Sequence, residues 1–408
     1  MKNRSSKKNI LLCGVSLIAA LSLCLGGFFV FSLMGRASES VDNQGIFGSS
    51  KNIFVRENLI VGADSLSVSA KSAILIEASS GEVIFAKNPD EKLSMASTTK
   101  IMTALVALEN SDPNKAVKVS PLAVNIEGSS IYLFPGEEMS LLDLLYGMLL
   151  ESANDAAAAI AIEVGGSIEG FAALMNKKAE ELGLQSTHFE NPHGLDGKDH
   201  YTTARELAII AREAYLNPTL KEIFSTYKKT IPLNSGDGER LLINHNKLLK
   251  RYEGATGIKT GFTKKSGRCL VSAAEREGLE FIAVTLNSPD DWSDHAKMLD
   301  LGFACYESRL LCKMGEACYT LPSVGAIEDH VILATADEIR AIVPRNSGDI
   351  RCVLELPRFV YAPIGAKEAV GYLVFYLDGE LIAKTELIAL NGLTVQREKG
   401  IFERIFGK

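Results

Sequence analysis

The chain has 408 residues, 47% hydrophobic and 23% charged, enough to bury a large core and to build two or three domains. Its formal charge of −7 leaves no basic footprint for nucleic acid. Cys269, Cys305, Cys312, Cys318 and Cys352, the cysteines beyond the N-terminal apolar stretch, contain no Cys-x-x-Cys pair and imply no disulfide framework, with one bridge among Cys305, Cys312 and Cys318 left open.

Lys2, Arg4, Lys7 and Lys8 precede an apolar run over residues 10–34, the layout of an export segment. The run just reaches the ~20 residues that span a bilayer. Residues 1–37 therefore read either as a cleavable signal, with Gly35-Arg36-Ala37 as the cleavage site, or as a retained anchor. Either way the bulk of the chain is expected outside the cytoplasm, secreted or held at the outer face of the cytoplasmic membrane. Cys24 is a poor lipidation site because the residue before it, Leu23, is not small. Residues 38–68, rich in Ser, Asn and Gly, read as a linker.

An ordered domain is expected over 69–305. Residues 72–77 and 82–86 are two β-rich runs about Ser79-Ser80-Gly81, a hairpin signal. The helix that follows puts Ser97 and Lys100 on one face about a turn apart. A serine hydroxyl needs a base, and a lysine desolvated among apolar neighbours becomes one as its pKa falls. Ser97 would also stand at the positive end of the helix dipole. The spacing alone is weak, since roughly one or two Ser-x-x-Lys matches are expected by chance. The two others, Ser5 to Lys8 and Ser225 to Lys228, lie in a basic tail and a polar segment.

Ser140-Leu141-Leu142-Asp143 resembles a capping box and starts an apolar helix to Leu150. An Ala-rich helix over 156–164 follows, and the polar turn Ser152-Ala153-Asn154 between the two reads, taken alone, as ordinary capping by Asn154 or Asp155. The turn-rich loop 191–200 holds His193 and His200 without metal-ligand spacing. Thr203 to Glu206 starts another helix by capping logic. Lys259-Thr260-Gly261 occurs once, against ~0.1 by chance, and alone reads as a strand lysine beside a turn; strands over 268–274 and 280–286 follow. After Cys305 helical periodicity fades, and 306–395 read as a separate small β-rich domain. In the tail, 396–408, Ile401, Phe402, Ile405 and Phe406 share one helical face, which reads as a packed terminal turn ahead of a membrane contact.

Ser-x-x-Lys, Ser-x-Asn and Lys-Thr-Gly, in that order, are the signature set of penicillin-binding proteins and active-site-serine β-lactamases. The flanks Ala96-Ser97-Thr98-Thr99-Lys100-Ile101-Met102-Thr103, Leu150-Glu151-Ser152-Ala153-Asn154-Asp155-Ala156-Ala157 and Gly257-Ile258-Lys259-Thr260-Gly261-Phe262-Thr263 resemble the low-molecular-mass penicillin-binding proteins, serine-type D-alanyl-D-alanine carboxypeptidases of peptidase family S11. Asn191-Pro192-His193-Gly194-Leu195-Asp196 and His200-Tyr201-Thr202-Thr203-Ala204 look like that family too.

The resemblance implies an α/β (α+β) fold: an antiparallel five-stranded sheet covered by helices, a helical part carrying Ser152, and a small β-rich C-terminal domain. It implies Ser97 as nucleophile, Lys100 as its base and Ser152 as proton relay to the leaving amine. Asn154, Lys259, Thr260, Gly261, Phe262 and Thr263 would bind substrate, with the N–H groups of Ser97 and Phe262 as oxyanion hole. The implied activity is removal of the terminal D-alanine from peptidoglycan stem pentapeptides through an acyl-enzyme, with β-lactam antibiotics as acylating ligands and no cofactor or metal. A D,D-endopeptidase, a β-lactamase and a non-catalytic wall-binding protein remain alternatives; penicillin turnover favours the second, and no segment resembles the Glu-bearing loop of class A lactamases.

Overall fold

The computed structural model describes residues 66–233 and 238–396; the export segment, most of the linker and nearly all of the tail lie outside the described residues. From the N-terminal side come β1 (Ser72–Glu77), β2 (Val83–Lys87), α1 (Lys100–Asn110), β3 (Ala116–Lys118), β4 (Glu138–Ser140), α2 (Leu141–Leu150), α3 (Asn154–Gly165), α4 (Ile168–Glu181), α5 (Ala204–Leu216) and α6 (Pro218–Ser225). They are followed by β5 (Lys228–Pro232), β6 (Glu239–Ile243), α7 (Leu248–Arg251), β7 (Ala255–Thr263), β8 (Gly267–Arg276), β9 (Leu279–Leu286) and α8 (Asp291–Cys305). The rest is β10 (Tyr306–Cys312), β11 (Ala317–Val324), β12 (His330–Thr335), β13 (Ile339–Pro344), β14 (Arg351–Glu355), β15 (Val360–Tyr361), β16 (Ala369–Leu377) and β17 (Glu380–Ala389).

The chain divides into two bodies: one runs up to Leu311 and includes Arg340–Ser347, and the other takes Cys312–Ile339 and the chain from Gly348. The first is organised by a five-stranded sheet in the order β2-β1-β9-β8-β7, antiparallel throughout. All six residues of β1 are buried. Its alternation explains why: Ile74 and Ile76 face one core with Val271, Ile282 and Val284, while Ala73 and Leu75 face another with Phe281 of β9 and with Met298, Leu299 and Phe303 of α8. A strand covered on both faces reads as a nearly continuous apolar run, as β1 does.

The predicted caps hold at two helices. Ser140 accepts from Asp143 N to start α2, and Thr203 accepts from Glu206 N to start α5. The second body carries a six-stranded sheet in the order β14-β16-β17-β12-β11-β15, with Leu333, Val374, Phe375 and Leu387 buried. All five cysteines beyond the export segment are free, so the bridge left open among Cys305, Cys312 and Cys318 does not form.

Candidate active site

Ser97 stands in a single 3₁₀ turn, Ala96–Thr99, that runs directly into α1. Thr98 and Thr99 close this turn by donating to the carbonyls of Met95 (2.6 Å) and Ala96 (2.7 Å). Ala96, just ahead of the serine, has φ +49°; a non-glycine residue held there stores ~1–3 kcal/mol of strain. His200 braces the same turn. Glu190 N–H donates to its Nδ1 (3.1 Å), which leaves Nε2–H to donate to Thr99 Oγ1 at 2.8 Å. Burial lowers the His200 pKa to about 4, so the ring is neutral in this arrangement.

Lys100 is fully buried. Its Nζ lies 3.0 Å from Ser97 Oγ, 2.7 Å from Asn154 Oδ1 and 2.5 Å from the His193 carbonyl. Burial first, and then the charge of Lys259, drive its pKa well below the usual lysine value, against the opposing pull of Asp155. This partner set suits a base. The neutral amine has two N–H donors, which Asn154 and His193 engage, and one lone pair, which is left for the Ser97 hydroxyl to donate into.

Asn154 reaches Lys100 because it opens α3 without capping it. The N-cap is Ala153 with no side-chain bond, which corrects the capping expected of Asn154 or Asp155. The Asn154 amide instead spans the site, with Nδ2 donating to Glu127 O at 2.5 Å. Asp155 turns to the loop before α2, accepting from Ser130 Oγ (2.6 Å), Ile131 N (3.2 Å) and Leu133 N (3.0 Å). Ser152 is buried in the turn two residues earlier, at φ +61°.

β7 brings the third motif. Lys259 is 1% exposed, its Nζ donates to the Thr260 carbonyl at 3.0 Å, and burial lowers its pKa to about 7. At Gly261 an added Cβ would lie 3.0 Å from Ser97 N and 3.1 Å from Thr98 N, so glycine lets the strand pass close to the serine where a side chain would push it off by a few tenths of an ångström. Gly194 does the same from the other side: at φ +88°, a Cβ there would fall 1.9 Å from the Ala96 carbonyl. β7 is the outermost strand, and it carries Phe262, which is 65% exposed. Thr260 is half-buried; the Thr263 hydroxyl is engaged by Asp196 Oδ1 (3.0 Å) and Ser266 Oγ (2.9 Å).

Direct contacts thus bring together Ser97, Lys100, Asn154 and Gly261, from three distant stretches of chain. Sequence reasoning missed the His193 carbonyl, the bracing by His200 and the loop-holding role of Asp155. The loop 191–200 was singled out by its turn residues and histidines, but a backbone acceptor leaves no side-chain signal.

The arrangement fits what the chain is similar to. The family model for D-alanyl-D-alanine carboxypeptidase matches residues 59–290, and that for the penicillin-binding protein 5 C-terminal domain matches 306–394. D-alanyl-D-alanine carboxypeptidase DacF of Bacillus subtilis is 36% identical over 330 residues, covering 78% of this chain and 85% of its own. DacC of Escherichia coli is 30% identical over 83% of this chain and 87% of its own. Penicillin binding protein 5 of Haemophilus influenzae superposes with a TM-score of 0.62 at 27% identity, over 81% of this chain and 98% of its own. The chain belongs to the D-alanyl-D-alanine carboxypeptidases of peptidase family S11, the low-molecular-mass penicillin-binding proteins.

Proposed function

We propose that Ser97 is the nucleophile of a serine D-alanyl-D-alanine carboxypeptidase acting on peptidoglycan stem pentapeptides, with Lys100 as its base. The observation that carries this is the 3.0 Å approach of Ser97 Oγ to a buried amine whose two other partners are acceptors. Oγ attacks the carbonyl between the two terminal D-alanines while its proton passes to Lys100 Nζ. The C–N bond breaks, the departing amine is protonated through Ser152, and D-alanine leaves; water then attacks the ester and returns the proton to Ser97.

The free edge of β7 takes the substrate backbone as an added strand, and Asn154 holds it from the opposite side. Lys259, in its form protonated at and below a pKa of about 7, supplies positive potential and Thr260 a hydroxyl for the terminal carboxylate. The N–H groups of Ser97 and Phe262 receive the oxyanion, worth ~3 kcal/mol per donor at comparable sites. Thr263 supports this edge through its bonds to Asp196 and Ser266.

Incubation with a stem pentapeptide should release free D-alanine, and Ser97→Ala should abolish both that release and covalent labelling by fluorescent penicillin. Labelling retained in Ser97→Ala removes Ser97 from the role.

The basic cluster and apolar run of residues 1–37, together with a wall substrate, support action outside the cytoplasm as a secreted or membrane-anchored enzyme. Among the described residues no single helix is long and apolar enough to cross a membrane. Mass spectrometry of the mature N-terminus distinguishes cleavage from anchoring. The division into 1–37, 38–68, 69–305, 306–395 and 396–408 is proposed on the same reading.

A further inference from the structure

We propose that Tyr132 is a specificity-determining residue for this reaction, its ring packing on the stem-peptide segment that precedes the two terminal D-alanines; this rests on the reading of the active site just given. Tyr132 has φ +56°, a conformation that a bulky residue rarely adopts and that glycine or asparagine would hold with less strain. The loop around it is fixed from both sides. Asp155 takes Ser130 Oγ, Ile131 N and Leu133 N, and Ser130 Oγ in turn accepts from Tyr132 N at 2.8 Å. Arg240 of β6 donates to the carbonyls of Ile131 (2.9 Å) and Tyr132 (3.2 Å) while its guanidinium pairs with the buried Glu137.

All of this bonding holds up a residue that is 85% exposed, the most exposed large hydrophobic one among the described residues. Folding gains little from such a ring, so a strained, over-determined backbone that displays it points to a ligand contact.

The same loop is a wall of the active site. Asn154 N donates to Ser129 O at 2.7 Å and Asn154 Nδ2 to Glu127 O, while the Oδ1 of that amide accepts from Lys100. Tyr132 therefore follows within a few residues of the backbone that fixes Asn154, across whose amide the substrate backbone would lie. The preceding residue of a stem peptide is a diamino acid with a run of methylenes ending in an ammonium. Both parts suit an aromatic face, the methylenes by packing and the ammonium by cation–π attraction.

The test measures kcat and KM for L-Ala-γ-D-Glu-L-Lys-D-Ala-D-Ala, and the rate of acylation by fluorescent penicillin, on the full chain as wild type, Tyr132→Gly and Tyr132→Phe. Tyr132→Gly should lose about tenfold in kcat/KM on the pentapeptide, carried by KM, with penicillin acylation unchanged. Tyr132→Phe, which keeps the ring, should stay within about twofold of wild type on both. The proposal is overturned if Tyr132→Gly handles the pentapeptide like wild type, if it loses penicillin acylation in the same proportion, or if Tyr132→Phe loses as much as Tyr132→Gly. Failure of the wild type to be acylated at all would instead strike the assignment of Ser97, so the two failures are separable.

Discussion

In the first body the buried polar groups include Lys100, Lys259, Glu137, Asn154 and Asp155, whereas in the second, among the described residues, they are Thr335 and Thr385. The second body follows ordinary sheet logic, with apolar side chains inward and polar ones outward. The first departs from it at particular places. A lysine buried away from water costs several kcal/mol if it stays charged, and lowers its pKa instead. Ala96, next to Ser97, and Ser152 of the second motif add positive φ angles. Lys100 and Asn154 make their departures beside Ser97, whereas the buried Asp294 and His295 of α8 engage Ser288 and Thr285 instead.

Removing the buried amine of Lys100 breaks this contrast most severely. Lys100→Ala should leave penicillin binding in place and slow acylation by ~10²–10⁴, read by stopped flow; an unchanged rate removes Lys100 from the mechanism.

Lys259 sharpens the contrast through pH. Its folded pKa is about 7 against an ordinary 10.5, so between those values the unfolded chain holds the extra proton. Stability should therefore rise with pH across that window, by ~1.4 kcal/mol per unit, and level off below pH 7, where both states are protonated. Urea denaturation at pH 7 and pH 9 should show this slope reduced in Lys259→Met; an identical slope in the variant refutes a lysine titrating while buried.

The smallest effect on chemistry belongs to the second body. Phe375 is buried there, and Phe375→Ala should cost ~3–5 kcal/mol of that body's stability. The acylation rate should nevertheless stay at the wild-type value at temperatures where the first body is folded. A parallel fall in acylation would erase the distinction between the two.

The parts of this molecule legible in its sequence are those where one residue type has one local meaning. Ser140 and Thr203 cap helices because their partners are three residues away, and the turn at Ser79-Ser80-Gly81 joins β1 to β2 as its composition says. The three motifs were legible as an ordered set. Asn154 shows the limit: a polar residue opening a helix reads as a cap, yet its amide is drawn off by Lys100 and Glu127, 54 and 27 residues away. The helices α4 and α8 and the β5–β6 pair escaped the sequence reading. Their interrupted apolar patterns acquire meaning only once a partner surface exists, as when Met298, Leu299 and Phe303 of α8 meet Leu75 and Phe281 of the sheet.

The pairing of β1 with β9, Ser72 against Leu286 through Glu77 against Phe281, sets a condition on when this enzyme comes alive. Strand β9 lies between β1 and β8, so the edge bearing Lys259 has no strand-to-strand link to β1 and β2 until it is in place. A nascent chain halted before residue 279 holds the serine, its amine and the entire third motif, yet lacks the plank that joins them. Closing so long a loop is slow, and acylating power should arrive late and all at once, with the completion of the sheet.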